Sequence, residues 1–271
     1  MRPYLLGVPP YANTAPLYRY LKPSKTLAFR HGVPTELNGW VLKGEVGLSL
    51  VSSYFFLQNQ DLLVALPDFS VAVLGRVYSV NLFHKKPLPE LSRVALTTES
   101  ATSVALLKWL LKEEGAQPTY ERRAGGVELL SEFDGVLLIG DRAIAAYARL
   151  LPALPSYPEA LPTRFGEVWV SDLSMLWFQK TRLPFVFALW AARKDLLPPK
   201  PVVERMRRAR RRGLAHLGQV AKSEADRLKV QPALMEHYLW NFRYHLEAPD
   251  LLGLEAFAQV LGLPFRIRFS E

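Results

Sequence analysis

The feature that most constrains this chain is a strand–turn–helix rhythm interrupted once. Four short and almost wholly apolar runs, Tyr4–Val8, Val46–Val51, Arg93–Leu96 and Gly135–Ile139, read as strands buried on both faces. Each leads into a turn and then a helical period, the mark of βαβ units and a mostly parallel sheet, hence an α/β fold. Val77–Phe83 and Phe185–Ala192 are β-rich runs about a hundred residues apart. The block between them, starting after Lys85-Lys86-Pro87-Leu88-Pro89, has its own βαβα pattern. Such an insertion predicts two lobes joined by two hinge crossovers. Residues 1–84 plus 186–271 form a discontinuous lobe with a helical tail (195–228, 231–243, 250–261), and residues 85–185 form the inserted lobe. Pro152–Pro162, with four prolines in eleven residues, predicts a loop within the inserted lobe.

With 271 residues, 49% of them hydrophobic, the chain buries roughly three quarters of its unfolded surface and needs neither disulfide nor metal for stability. The absence of cysteine excludes disulfides, thiol nucleophiles, Fe–S clusters and Cys-ligated zinc. The longest clean apolar run, Leu183–Ala192, is about half a membrane span, so no membrane partner is expected. Tyr4–Val8, closed by Pro9-Pro10, is too short for a secretory signal, so the expected location is cytoplasmic. Of the net charge of +9, six units sit on Arg205, Arg207, Arg208, Arg210, Arg211 and Arg212. In that segment Val203, Met206, Gly213, Leu217 and Val220 recur at helical intervals, which predicts an amphipathic helix with a solvated basic face. No aromatic residue interleaves with these arginines and no nucleic-acid-binding motif is present, so no nucleic-acid partner is expected.

Ligands of open α/β sheets bind beyond the carboxyl ends of the strands, where helix starts offer free N–H groups. There the chain places Tyr11-Ala12-Asn13-Thr14, then Ser52-Ser53, then Glu99-Ser100-Ala101-Thr102-Ser103, and last Gly140-Asp141. Every such residue also serves as an ordinary helix cap. Four sets on both halves of a cleft nonetheless suit a small anion held by hydroxyls and backbone N–H donors. Dinucleotide, P-loop, serine-hydrolase and zinc-peptidase motifs are all missing, and His31, His84, His216, His237 and His245 do not cluster at ligand spacing. The expectation is a site without metal or cofactor.

Leu6-Gly7-Val8 followed by Tyr11-Ala12-Asn13-Thr14-Ala15-Pro16-Leu17 resembles the opening of the chorismate dehydratases of the futalosine route to menaquinone. The resemblance continues in order through Pro34-Thr35-Glu36-Leu37-Asn38, Leu50–Ser53, Gly75–Val80, Glu99–Val104, Leu138–Asp141 and Leu183–Trp190. It departs at Asp172-Leu173-Ser174-Met175-Leu176-Trp177, where the family carries a more acidic stretch, and no ligand contact is assigned there. The resemblance implies a two-lobed type II periplasmic-binding-protein-like fold and a cofactor-free hydro-lyase. The reaction it implies converts chorismate, a small dicarboxylate, to 3-[(1-carboxyvinyl)oxy]benzoate and water.

By the same analogy Asn13 and Ser79 are the catalytic polar side chains, with Ser100, Thr102 and Ser103 as ligand contacts. Tyr11, Ser52, Ser53, Gly140 and Asp141 complete the expected substrate-binding set. Loss of the ring hydroxyl and its neighbouring proton aromatises the ring. The charge that develops on proton removal delocalises into the ring carboxylate, so donors to that group stabilise the transition state. The helix start at Ser100–Ser103 suits this role. Two accounts of the base stay open, the substrate's own enolpyruvyl carboxylate and an acidic residue, Asp141 or Glu99. Two other functions stay open as well, namely the sister dihydroxynaphthoate synthase of the same pathway and a non-catalytic solute-binding protein.

Overall fold

The computed structural model describes residues 3–150 and 164–270, so the proline-rich stretch 152–162 lies outside the described residues. The first lobe opens with β1 (Tyr4–Val8), α1 (Ala15–Tyr18), β2 (Leu27–His31), α2 (Pro34–Leu42), β3 (Leu48–Ser52), α3 (Ser53–Gln58) and the long β4 (Leu63–Val73). The chain then crosses over. The second lobe contains β5 (Val80–His84), β6 (Arg93–Leu96), α4 (Ala101–Glu113), β7 (Thr119–Arg122), β8 (Gly135–Ile139), α5 (Gly140–Leu150), β9 (Arg164–Phe165), β10 (Val168–Asp172) and α6 (Leu173–Thr181). A second crossover leads to β11 (Phe185–Arg193), α7 (Lys200–Ala215), α8 (Leu217–Leu228), α9 (Pro232–Trp240), β12 (Phe242–Arg243) and α10 (Ala248–Val260).

Each lobe is built on a six-stranded sheet, ordered β12-β4-β11-β3-β1-β2 in the first and β7-β6-β8-β5-β10-β9 in the second. The inner strands β3 and β8, each with one parallel and one antiparallel neighbour, are buried at every position, as their apolar runs require. Neither sheet is mostly parallel as expected, because the strands that follow each crossover pair antiparallel, giving two parallel and three antiparallel ladders in each. β5 corrects the sequence reading, which put residues 80–84 with the first lobe. It runs antiparallel between β8 and β10, so the first crossover lies at residues 74–79. An apolar run shows that a strand exists, whereas its sheet is decided by long-range partners that leave no local mark.

The second crossover is pinned by aromatic packing. Trp177 of α6 meets Trp109 of α4 at 5.3 Å between ring centroids, and it meets Phe185 of β11 at the same distance. Phe185 in turn packs on Phe257 of α10 at 4.9 Å. The two lobes thus share one apolar cluster behind the cleft. Gly253 of α10 sits so close that a Cβ there would lie 2.0 Å from the Pro184 carbonyl oxygen, so only glycine fits against this crossover.

The tail is helical, but the single segment expected over 195–228 is two helices broken at His216. The basic face of α7 is also not wholly solvated. Arg210 is 5% exposed, lies over the Phe69 ring and donates to the Asp68 carbonyl, which a left-handed Asp68 (φ 69°) turns toward it. A guanidinium on the packed side is tolerable because carbonyls and a ring face receive it.

Candidate active site

Between the lobes lies a narrow cleft with about 590 Å³ of space, its open mouth included. Apolar side chains from both sheets form the floor, among them Leu50, Val71, Phe187 and Ile139. The polar lining comes from strand ends: Tyr11, Asn13 and Thr14 after β1, Ser52 after β3, Ser79 before β5, Ser100 and Ser103 after β6, and Gly140 after β8. Among the described residues that line it, none carries a charge at neutral pH.

Asn13 and Ser79 converge from opposite lobes. Asn13 sits on a short 3-10 turn, Ala12–Thr14, which is closed by the Thr14 hydroxyl donating to the carbonyls of Pro9 (3.1 Å) and Tyr11 (2.8 Å). Its Oδ1 is shielded from solvent and has no hydrogen-bond partner among the described residues, and the same holds for Ser79 Oγ. Buried polar atoms left without partners are costly, so a pair facing one cleft marks the place where a ligand supplies the missing bonds.

Ser79 owes its aim to a strained corner. Tyr78 has φ 58°, a left-handed conformation rare for an aromatic residue. Asp172, capping α6, receives the N–H groups of Val77 (2.9 Å) and Tyr78 (2.7 Å) on one carboxylate oxygen and that of Met175 (3.0 Å) on the other. The Gly140 N–H donates to the Ser79 carbonyl at 2.7 Å and fixes the next step of the chain. Burial raises the Asp172 carboxyl to about 6 in spite of those N–H bonds. Asp172 therefore has a structural task at the site, found in the very stretch where the sequence resemblance breaks.

The remaining hydroxyls are prepared in a related way. The Asn38 side-chain amide donates to Ser52 Oγ at 3.2 Å, and the Ser52 N–H returns a bond to Asn38 Oδ1 at 3.2 Å. Ser100 Oγ accepts the Ser103 N–H at 3.1 Å and donates to Ser103 Oγ at 3.0 Å. Ser52 and Ser103 each accept one bond from the protein and keep a proton for the cleft. Gly140 has φ 57°, which strains any side chain, and a Cβ there would lie 3.1 Å from the Tyr11 ring and press on it.

Three expected contacts do not face the cleft. Thr102 accepts the Tyr54 N–H at 2.9 Å across the lobes, and the Ser53 hydroxyl donates to the Val186 carbonyl. The Asp141 carboxylate accepts the Ala12 N–H at 2.9 Å and pairs with Arg227 at 2.7 Å. Glu99 likewise spans the mouth, accepting the Tyr11 hydroxyl at 2.8 Å with Arg142 3.5 Å away. Burial and, next, the Glu99 charge push the Tyr11 phenol far up, so it stays neutral and donates. His84 is buried behind the cleft, bonded to the Lys86 carbonyl and Ser171 Oγ, and burial lowers its imidazole.

The sequence pattern of a family described as "Menaquinone biosynthesis" matches residues 4–262. The chain belongs to this family. It is 69% identical over 269 residues, 99% of each chain, to the chorismate dehydratase of Thermus thermophilus. Among solved structures it is similar to a protein from Archaeoglobus fulgidus (TM-score 0.69, 17% identity, 95% of this chain and 97% of that one). It is also similar to the alkanesulfonate-binding protein of Xanthomonas axonopodis pv. citri bound to MOPS (TM-score 0.67, 15% identity, 98% and 96%). These two likenesses show the fold, which this menaquinone-biosynthesis family member shares: two lobes of the type II periplasmic-binding-protein-like kind. Among the described residues no helix is long and apolar enough to cross a membrane, and no cluster of His, Asp or Glu has metal-ligand geometry.

Proposed function

We propose that this chain is a chorismate dehydratase, converting chorismate to 3-[(1-carboxyvinyl)oxy]benzoate and water. The observation that carries the reading is the 69% identity, spread over 99% of both chains, to the Thermus thermophilus enzyme of that name. The cleft supports it chemically. A dianion enters a site whose donors are neutral, and the α4 start at Ser100–Ser103 offers the positive end of a helix to the ring carboxylate. As the ring proton leaves, charge flows into that carboxylate and the bonds to it strengthen, which lowers the barrier. Asn13 and Ser79 orient the enolpyruvyl ether and the departing hydroxyl from opposite sides.

The base in this scheme is the substrate's enolpyruvyl carboxylate. Asp141 and Glu99 are committed to bonds across the cleft mouth, and neither lines the cleft. By holding the ether and the hydroxyl, Asn13 and Ser79 keep the carboxylate beside the ring proton. The carboxylate takes that proton as the ring C–H and C–O bonds break, and passes it to the departing hydroxyl, which leaves as water. Purified protein mixed with chorismate should generate the aromatic product, followed by its ultraviolet absorbance and by chromatography. Intact chorismate after prolonged incubation, together with tight binding of some other anion, would replace the reading with that of a solute-binding protein.

A further inference from the structure

Ser79 follows the strained Tyr78, and the peptide group that joins them is held at one end only. Its N–H has no hydrogen-bond partner among the described residues, although it stands where an antiparallel ladder would return the bond that Gly140 gives to the Ser79 carbonyl. The return bond is lost because Gly140, at φ 57°, turns out of the ladder and opens α5. The other end, the Tyr78 carbonyl, accepts from Asn81 Nδ2 at 2.7 Å, its one bond among the described residues. Asn81 is buried on β5, directly opposite Asp172 of β10. One register position thus supplies both anchors of the corner. The Asp172 carboxylate takes the Tyr78 N–H, and the Asn81 amide takes the Tyr78 carbonyl. A third contact, between the Tyr78 hydroxyl and His237 Nε2 of α9 at 2.9 Å, fixes the ring.

We propose that Asn81 is a positioning residue for Ser79: its side-chain amide fixes the 78–79 peptide plane, and with it the direction in which the Ser79 hydroxyl enters the cleft. This inference rests on the dehydratase reading. An aromatic residue stays left-handed only where its surroundings hold it on both sides. Asp172 holds the peptide before Tyr78, and Asn81 holds the peptide after it. Without Asn81 that second peptide swings back toward the ordinary regions of backbone space, and it carries the Ser79 side chain with it. The amide has one usable orientation, since turning it over would set its oxygen against the Tyr78 carbonyl. Asn81 Oδ1 accordingly has no partner among the described residues, so an acceptor is left unpaired to keep this donor in place. Asn81 does not line the cleft, so it acts on the substrate only through Ser79.

The test is Asn81→Leu, close in size and without a donor, with Asn81→Ala as the second variant. In each, kcat on chorismate should fall roughly tenfold, the scale of one bond lost from a buried carbonyl, with KM within about threefold of wild type. In a Ser79→Ala background the same changes should alter kcat less than about twofold, because no hydroxyl is left to aim. A residue that only holds the fold together would cost the same in both backgrounds. Asn59→Leu is the control. It removes a bond of the same kind, from Asn59 Nδ2 to the Phe55 carbonyl at 2.8 Å, away from the cleft, and should leave kcat unchanged. A second readout does not need turnover. A crystal structure of either Asn81 variant should show Tyr78 at negative φ and the Ser79 hydroxyl displaced from its wild-type place. Unaltered kcat in both variants, an equal loss in the Ser79→Ala background, or a Tyr78 that stays left-handed with Ser79 in place would overturn the proposal. A wild type that leaves chorismate intact removes the dehydratase reading instead, and the crystal structure then still decides whether Asn81 holds the corner.

Discussion

The inside of the cleft and its rim use opposite chemistry. Inside, hydroxyls, an amide and a phenol face apolar strands with no charge among them. At the rim a chain of charges runs from the second lobe to the first: Arg142, Glu99 and Asp141, then Arg227, Glu224 and Arg19. The difference follows from the ligand. A carboxylate inside would repel a dianion, and an arginine there would bind the ground state as firmly as the transition state, which gains nothing in rate. Charges are put where water still screens them, and there they join the lobes. Neutral dipoles are put where water is excluded and where orientation gives them their worth.

The comparison breaks first at its centre. Asn13→Ala and Ser79→Ala should each lower kcat by at least ~100-fold, the scale of one oriented polar stabiliser. Steady-state kinetics on folded variants checks this. Near-normal turnover in both would show that the neutral interior does not carry the chemistry.

Asp172 is the exception that sharpens the contrast, a carboxylate kept inside behind the floor. Its folded pKa of about 6 lies above the ordinary 3.8, so burial favours the protonated form. The stability this confers is complete below about pH 3.8 and is lost as pH rises through 6. Between pH 4 and 7 the wild type should therefore lose about 2–3 kcal/mol relative to Asp172→Asn. Denaturant unfolding of both proteins across that range measures it. Parallel stability curves would mean that the three N–H bonds already offset the burial of the charge.

The caps explain how far the site was legible in the sequence. Small polar residues after each strand were visible as a set, and the helix start determines which of them face inward. Ser52 and Ser100 are N-caps and Ser103 is the third residue of its helix, and these three line the cleft. Ser53 and Thr102 stand one and two residues past a cap, and the turn of about 100° per residue carries them round to the neighbouring lobe or strand. The continuous apolar runs marked β1, β6 and β8 by residue number, because a strand buried on both faces has no alternative pattern. Asn38 and Asp172 act from behind the lining residues. Each lies at least fourteen positions from the residue it supports, a pairing that only the folded chain creates.

Next in size is the test of the rim carboxylates. Glu99→Gln and Asp141→Asn keep shape and remove charge, and each should hold kcat within about tenfold of wild type. A loss of several orders of magnitude in either would make that residue the base and displace the substrate's own carboxylate from the role.

The smallest effect belongs to Arg227, and its sign follows from where the pair sits. Its side chain is 44% exposed while it bridges Asp141 and Glu224 at 2.7 Å each. An ion pair so placed is worth about 0–1 kcal/mol and weakens with salt. Arg227→Ala should therefore raise KM about two- to fivefold at low ionic strength, since lobe closure loses one of its fasteners, and kcat should not move. The gap in KM between the two proteins should shrink toward 1 M salt, where the screening length falls to about 3 Å. Ser79→Ala, acting in the dry interior, should show the same loss at every salt concentration. If salt erased the Ser79 effect and spared the Arg227 effect, the division between a neutral interior and a charged rim would be drawn in the wrong place.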